Sequence, residues 1–245
     1  LLASLLPAGI AVAQQGLPAG ERPNGERSEP GPVGTTQDAD GRWYIAADRQ
    51  PERRVVPATS GGPDDYGYVW EDSTALNWIE ATNGADTGLS GDSWGQRTGA
   101  IPLPFAFKYY DATFSSVYIG ASGYIAFQDS PDWSWPTQIR TPVPSTPNAV
   151  ISPYSTPLTL ATSGASGRVF YRSGGAAPNR YFVVVWNDVQ YERGDERYTF
   201  GAVIYETGDI LFQYKSMVRG GDNSYYCGYV GIEDVEGTDG FSYEP

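Results

Sequence analysis

The chain has 245 residues with 29 acidic and 16 basic side chains, which gives a formal net charge of −13. This acidity argues against nucleic acid and anionic membrane surfaces as partners, because proteins bind both chiefly through lysine and arginine. Histidine is absent and there is one cysteine, which excludes Ser-His-Asp and Cys-His catalysis, histidine-ligated metals and a disulfide within this chain.

The segment Leu1 to Ala13 is an apolar run about as long as the hydrophobic region of a signal peptide. It ends in Ala11-Val12-Ala13, a small-x-small pattern typical of a cleavage site. We interpret residues 1–13 as a signal-peptide remnant and therefore expect an exported protein. The scarcity of cysteine in an exported protein indicates a prokaryotic source. The alternatives are a buried apolar strand or helix of the mature protein, and a retained segment that is donated as a strand to another subunit. No stretch approaches the roughly 20 apolar residues that span a bilayer.

Residues 14–62 are rich in glycine, proline, arginine and glutamate, with few core-forming side chains before Trp43. Such a composition buries too little apolar surface to offset the entropy lost on ordering. We interpret residues 14–62 as a linker or tether that contains at most a short strand near Trp43. The globular domain is then predicted over residues 63–245.

From Tyr66 onward the sequence alternates short strands with Gly/Pro-rich turns, and no helical periodicity is present. In residues 101–127, aromatic residues alternate with small or polar ones, as in antiparallel strands with one buried face. Strands at this spacing predict an all-β antiparallel β-sandwich, jelly-roll-like, preceded by an irregular Pro/Gly-rich tether. The expected strands are residues 68–70, 77–79, 105–109, 116–119, 125–127, 149–152, 168–172, 180–186, 197–205, 210–214 and 229–233.

Two segments predict more specific features. Residues 181–186 are continuously apolar (YFVVVW), which indicates a central strand covered on both faces. Residues 206–209 (ETGD) lie between two apolar runs, and a glycine able to take positive φ makes them a strong hairpin signal. The GASG sequence at residues 120–123 is interpreted as a turn, since it lacks the lysine of a phosphate-binding loop.

Nine short motifs in one order resemble a β-sandwich module of large secreted proteins of bacteria and archaea. That module is often appended to subtilisin-like peptidases or surface proteins and is distantly similar to the nidogen-type extracellular domain. The similarity runs from about Tyr66 to Tyr243. The motifs are residues 68–73, 77–79, 101–107 with 109–110, 117–127, 147–153, 182–189, 199–200, 206–214 and 231–234.

The resemblance implies a non-catalytic accessory or interaction domain, and two departures from the family pattern bear on it. The family usually places tryptophan and acidic residues after the proline that corresponds to Pro153, whereas this chain continues with Tyr154-Ser155-Thr156. A cation-binding role of that strand end is therefore not expected. The chain also reaches Pro245 where the last strand of the module would finish, so we expect a truncated domain.

Acidic residues near the carboxyl end are the candidate metal ligands. Glu233, Asp234, Glu236 and Asp239 lie in one Gly-rich segment, and several loop oxygens are the ligands that calcium requires. The segment does not match the EF-hand pattern. Paired carboxylates in such turns are ordinarily solvated, so we favour turn formation over glycosidase chemistry. No cofactor is predicted, with structural calcium as the alternative.

The candidate ligand-binding residues are Asp132, Trp133 and Trp135, which lie between turn residues at 130–136. Exposed aromatic pairs suit sugar faces or protein hot spots. The competing interpretation is that both tryptophans cap the open end of the sandwich as part of the core.

The sequence therefore predicts a non-enzymatic interaction or adhesion module, extracellular or at the cell surface, whose partner is another protein or a glycan. One alternative is a carbohydrate-binding module that uses Trp133 and Trp135. Others are an accessory domain of a secreted peptidase, and a surface-fibre subunit that assembles with copies of itself by strand donation.

Overall fold

The computed structural model describes residues 35–37, 43–45, 60–72, 75–92, 95–129, 141–164, 166–192, 194–217 and 228–243. All regular elements in these ranges are β-strands, as the spacing of apolar residues and turns predicts. In this part of the chain no helix has the length and hydropathy needed to cross a membrane.

The chain divides into two compact units, and residues 14–57 form the smaller one. Within it, strand β1 (Thr35–Gln37) pairs antiparallel with strand β2 (Trp43–Ile45). The short strand that the sequence allows near Trp43 is thus present, with a second strand before it.

The larger unit contains the remaining strands, which form two main sheets and one short ribbon. They are β3 (Ser60–Gly61), β4 (Trp70–Glu71), β5 (Ala85–Asp86), β6 (Gly91–Asp92), β7 (Ile101–Tyr109), β8 (Ala112–Gly120), β9 (Tyr124–Ala126), β10 (Val150–Ser155), β11 (Leu158–Leu160), β12 (Arg168–Gly174), β13 (Tyr181–Tyr191), β14 (Arg197–Tyr205), β15 (Ile210–Met217), β16 (Tyr229–Glu233) and β17 (Gly240–Tyr243).

The two main sheets are antiparallel throughout. One has the strand order β17-β16-β10-β9-β8-β7. The other has the order β15-β14-β13-β11-β6, with β12 also paired to β13 and β5 paired to β12. The main apolar core draws its side chains from both sheets. The all-β antiparallel sandwich is confirmed.

Strand β13 is central and covered on both faces, as its continuous apolar run predicts. Phe182, Val184 and Trp186 point into the core between the sheets. Val183 and Val185 point the other way, into a second buried cluster on the outer face of the same sheet. Alternate residues of a strand point to opposite faces, so only a strand buried on both sides needs an unbroken apolar sequence.

Both predicted turns are confirmed. Residues 206–209 join β14 to β15, with the Tyr205 N–H donating to Asp209 O over 2.9 Å and Gly208 at φ 101°. Gly123 lies in the turn between β8 and β9 at φ 90°, and a Cβ there would lie 2.0 Å from the carbonyl oxygen of Tyr154. A glycine is therefore required at residue 123 both for the turn and for the close approach of the backbone.

The prediction of a strand at residues 77–79 is wrong. The N–H of Ile79 donates to the side-chain oxygen of Gln213, and the side-chain NH₂ of Gln213 donates to the carbonyl of Ile79, each over 2.8 Å. One glutamine amide thus satisfies both backbone groups of Ile79, so this segment packs on the outer face of the β13 sheet without joining a ladder.

The fully buried Trp186 connects the two sheets. Its indole stacks on Phe200 of β14 at a centroid distance of 5.2 Å. Its Nε1–H donates to the carbonyl oxygen of Gly120, at the end of β8 in the opposite sheet, over 3.1 Å. A Cβ at Gly120 would collide with the ring of Tyr124, so the absence of a side chain at this position also serves the packing.

We expect Trp186→Phe to lower the free energy of unfolding by about 2–4 kcal/mol. It removes the shorter of the two hydrogen bonds to the Gly120 carbonyl, which keeps only the Gly123 N–H at 3.4 Å, and it opens a small cavity. Urea denaturation of the full chain measures this change. Trp78→Phe is the matched control, because half-buried Trp78 donates to the side chain of Glu80 on the outer face. It should cost no more than about 1 kcal/mol. Equal losses in the two variants would contradict the role of Trp186.

Candidate functional site

A cleft of about 210 Å³ lies where the β7–β8 turn meets the β16–β17 turn. Five carboxylate side chains and two tyrosine rings line it, and the only other lining residue is a valine. The lining residues are Asp65, Tyr66, Tyr110, Asp111, Asp234, Val235, Glu236 and Asp239.

The segment before β4 holds the two turns together. The Tyr110 hydroxyl, on the β7–β8 side, donates to Asp64 Oδ2 over 3.0 Å. The Asp65 N–H donates to Asp239 Oδ1, on the β16–β17 side, over 3.2 Å. Asp64 Oδ1 also accepts the N–H groups of Gly67 and Tyr68, over 2.8 and 2.7 Å. Adjacent aspartates thus contact different turns and place them on opposite sides of one cleft.

The β16–β17 turn is organised around Asp234. Its Oδ1 accepts the N–H groups of Thr238 and Asp239, over 2.8 and 3.2 Å. Asp234 N–H donates to Asp239 O over 2.9 Å. Glycine is required at residue 237, where φ is 69° and a Cβ would lie 2.2 Å from the carbonyl of Val143.

The cleft is acidic and open to solvent. Asp65, Asp111 and Glu236 are exposed, and no described residue donates a hydrogen bond to the carboxylates of Asp111 or Glu236. Burial raises the pKa of Asp64 beneath them, and the negative charge of Asp239 adds to this effect. Lys108 is the described cation at the rim, with Nζ 5.5 Å from the centre of the Tyr66 ring. This arrangement suits a cationic partner group.

Glu233 differs from the other candidate metal ligands. Asp234, Glu236 and Asp239 line the cleft, whereas Glu233 does not, and its side chain is fully buried. Glu233 Oε2 accepts the N–H of Val143 over 2.9 Å, and Oε1 has no partner. Burial raises the pKa of Glu233 to about 8. The carboxyl is therefore mostly protonated at neutral pH and holds the 141–149 segment against β16.

No group of three or more histidine, cysteine, aspartate or glutamate side chains is arranged to hold a metal ion in the described ranges. In the turn, Asp234 Oδ1 already accepts two backbone N–H groups and Oδ2 accepts the Thr238 hydroxyl over 3.4 Å, as in an ordinary aspartate-stabilised turn. The calcium site stays a prediction, and a melting temperature unchanged by a chelator would contradict it.

Asp132, Trp133 and Trp135 lie outside the described residues. The residues on either side of residues 130–140 are described, and both contact the same short segment. Gln128 Nε2 donates to the carbonyl of Val235 over 3.4 Å, and the N–H of Val143 donates to Glu233. The described residues Gln128 and Val143 are therefore attached next to the acidic cleft.

The sequence did not identify the other side of the cleft. Tyr66 and Asp111 lie in no motif of the sequence, and Tyr110 belongs to one of the nine family motifs without any indication of a site. The positive φ of Tyr110, 49°, turns the chain at that point. A tyrosine-aspartate pair in a tight hairpin is the available signal, but nothing local indicates that residues 64–65 and 234–239 lie beside it.

Comparison with known proteins places this domain in context. A family model described as NIDO related matches residues 67–244. Nidogen-2 of Mus musculus is 33% identical over 97 residues, which cover 34% of this chain and 6% of that protein. The chain thus matches only a small part of the length of that relative. No solved structure matches.

We expect the stability of the wild-type protein to fall as pH rises from about 5 to 8. An unfolded glutamate loses its proton near pH 4.3, whereas folded Glu233 retains it to about pH 8. Between these values the folded state binds the extra proton, so raising the pH favours unfolding by up to about 1.4 kcal/mol per pH unit.

Glu233→Gln should remove this contribution, since the amide oxygen still accepts from Val143 and the side chain no longer titrates. Denaturant unfolding of both proteins between pH 5 and 9 tests the prediction. The free energy of unfolding of the variant should increase relative to that of the wild type as the pH rises. Parallel stability curves would show that the Glu233 carboxyl does not titrate in this range.

Proposed function

Since the chain belongs to the NIDO-related family, we propose that its β-sandwich is a non-catalytic interaction module of an extracellular or cell-surface protein. The partner is a protein segment rich in lysine or arginine, which binds at the acidic cleft. One observation carries the proposal: two hairpin turns and the 64–65 segment bring five carboxylates and two tyrosine rings together around a solvent-open concavity.

Charge favours a basic partner over other classes. The chain carries a formal net charge of −13. At the rim of the cleft, the three exposed carboxylates of Asp65, Asp111 and Glu236 outnumber the described cation, Lys108. Cations approaching such a surface are attracted before contact, and tyrosine faces then favour guanidinium or ammonium groups. Nucleic acid and anionic membrane are disfavoured by the same field.

The chemistry of the chain supports a binding role over catalysis. Without histidine, no imidazole is present to activate the hydroxyl of a serine or threonine. The carboxylates around the cleft serve the structure of the turns or face solvent. A glycosidase pair would need one carboxyl with a raised pKa facing the substrate, whereas Glu233 is buried away from the cleft lining.

A second candidate function is carbohydrate binding through Trp133 and Trp135. The observation in its favour is that Gln128 and Val143, on either side of residues 130–140, contact Val235 and Glu233, next to the cleft. Membership in a larger secreted protein, as an accessory domain beside a peptidase, is compatible with either binding role.

We expect Asp111→Asn with Glu236→Gln to weaken binding of an arginine-rich decapeptide by about threefold or more at low salt, because two exposed charge pairs are lost. Isothermal titration calorimetry at two salt concentrations measures the affinity and its salt dependence. Both substitutions conserve side-chain size at exposed positions, so folding should be unaffected.

Asp92→Asn with Asp195→Asn is the matched control for that variant. Both aspartates are exposed, and they lie on β6 and in the β13–β14 connection of the other sheet. The control removes the same charge and should leave the affinity within about twofold of wild type. Equal weakening in the two double variants would mean that net charge alone attracts the peptide, and would remove the cleft from the proposal.

For the second candidate, we expect Trp133→Ala with Trp135→Ala to leave the melting temperature nearly unchanged and to abolish the signals of a glycan array screen. The physical reason is that stacking on exposed rings supplies most of the affinity for sugar faces. A large drop in melting temperature would instead show that the two rings belong to the core. Loss of peptide binding without any glycan signal would assign them to the protein partner.

A further inference from the structure

Strand β15 forms one outer edge of the larger sheet. Among the described strands it pairs with β14 alone. An unpaired strand edge presents a row of free N–H and C=O groups and can pair with another chain. Proteins usually protect such edges with proline, charge or short length. A long edge strand without proline is therefore a candidate for pairing with another chain.

The other edges of the two sheets are blunted. Strand β7 carries Pro102 and Pro104, which have no N–H to offer. Strand β17 has four residues, and Tyr243 at its end donates to Asp72 beside the short β3–β4 ribbon. Strands β5 and β6 have two residues each.

Strand β15 has neither proline nor short length, and its ladder to β14 is regular from Ile210 to Tyr214, with a bulge at residue 215. It runs for eight residues, ILFQYKSM, without proline. Its one charged residue, Lys215, lies beside Glu80, with Nζ 3.6 Å from Oε2 and 5.3 Å from the centre of the Trp78 ring. The charge is therefore partly balanced and held against the outer face of its own sheet.

The hairpin determines which backbone groups of β15 are free. The Tyr205 N–H donates to Asp209 O, so residues 205 and 209 form a hydrogen-bonded pair. Hydrogen-bonded and non-hydrogen-bonded pairs alternate along an antiparallel ladder. With Val203 opposite Leu211 and Gly201 opposite Gln213, residues 211 and 213 bond to β14. The backbone groups of Ile210, Phe212 and Tyr214 then point outward.

We propose that β15 pairs antiparallel with β15 of a second copy of this chain, about a two-fold axis at Gln213. In this register the outward backbone groups of Phe212 meet those of Tyr214 of the partner subunit, which closes a hydrogen-bonded ring on each side of the axis. Leu211 lies opposite Lys215 of the partner subunit. Two seven-stranded sheets become one continuous sheet.

The strand sequence is self-complementary in this register. Seven of the eight strand residues, 210–216, overlap with their copies. Phe212 and Tyr214 continue the buried face of the sheet, and cross-strand aromatic pairs stabilise such contacts. The lysine meets half-buried Leu211 instead of a second lysine. A parallel arrangement in register would place the two lysines opposite each other, which is unfavourable.

A two-fold interface of this kind is closed, so it predicts a dimer and not a fibre. It lies in the other sheet from the acidic cleft and leaves the cleft open. The inference is therefore independent of the proposed partner, and the Asp111→Asn/Glu236→Gln variant should dimerise as the wild type does.

Sedimentation equilibrium of the full chain from about 1 to 500 µM, with amide hydrogen exchange at both ends of that range, tests the pairing. We expect a reversible monomer–dimer equilibrium and slower exchange of the Phe212 and Tyr214 amides at high concentration. A protein that stays monomeric with unchanged exchange at these amides would overturn the proposal, and would leave the edge to a strand of another protein.

Two substitutions at one position test the register. Leu211→Lys places a lysine opposite Lys215 of the partner subunit, whereas Leu211→Glu places a carboxylate there, and both lose the same apolar contact. Each pair occurs twice in the dimer, so the dimer Kd of the lysine variant should exceed that of the glutamate variant by about fivefold or more. Equal dissociation constants for the two variants, with similar melting temperatures, would show that dimers form through another surface.

Discussion

The bond between the Trp186 indole and the carbonyl of Gly120 joins the two sheets across the core of the sandwich. Two sheets that pack through apolar side chains alone can slide, because the hydrophobic effect has no direction. A buried hydrogen bond has direction and is costly to leave unmade. Since Trp186 also stacks on Phe200, it links β8, β13 and β14 in one arrangement. The β7–β8 and β16–β17 turns, which line the cleft, belong to the six-stranded sheet that this bond connects to β13.

The acidic cleft depends on a different set of contacts. Like charges repel, so five carboxylates do not gather unless other bonds hold their backbones. Asp64 bonds to Tyr110 and Asp65 to Asp239, while Asp234 accepts N–H groups of its own turn. The fold therefore places negative charge where it can attract a partner. Glu233, buried below, keeps its proton and adds no further repulsion.

Local sequence was a good guide where one interaction dominates. The apolar run at 181–186 became a strand covered on both faces, and Gly208 took the positive φ that the hairpin needs. It misled at residues 77–79, because the partner of Ile79 is the side chain of Gln213, distant in sequence. It placed Glu233 with the other carboxylates, because a sequence does not show which of two neighbouring acids points into the protein.

The sequence by itself determined the class of fold and the classes of chemistry that are excluded. Strand periodicity and turn glycines depend on residues close together in the sequence, and the absence of histidine is a matter of composition. None of these properties depends on tertiary contacts. The acidic cleft and the free edge at β15 were decided only in the folded chain. The cleft joins segments near residues 65, 111 and 236, and β15 is an edge because it is the last strand of its sheet among the residues that the structure describes. Contacts between segments distant in sequence bring these residues together, and no short stretch of sequence encodes such contacts.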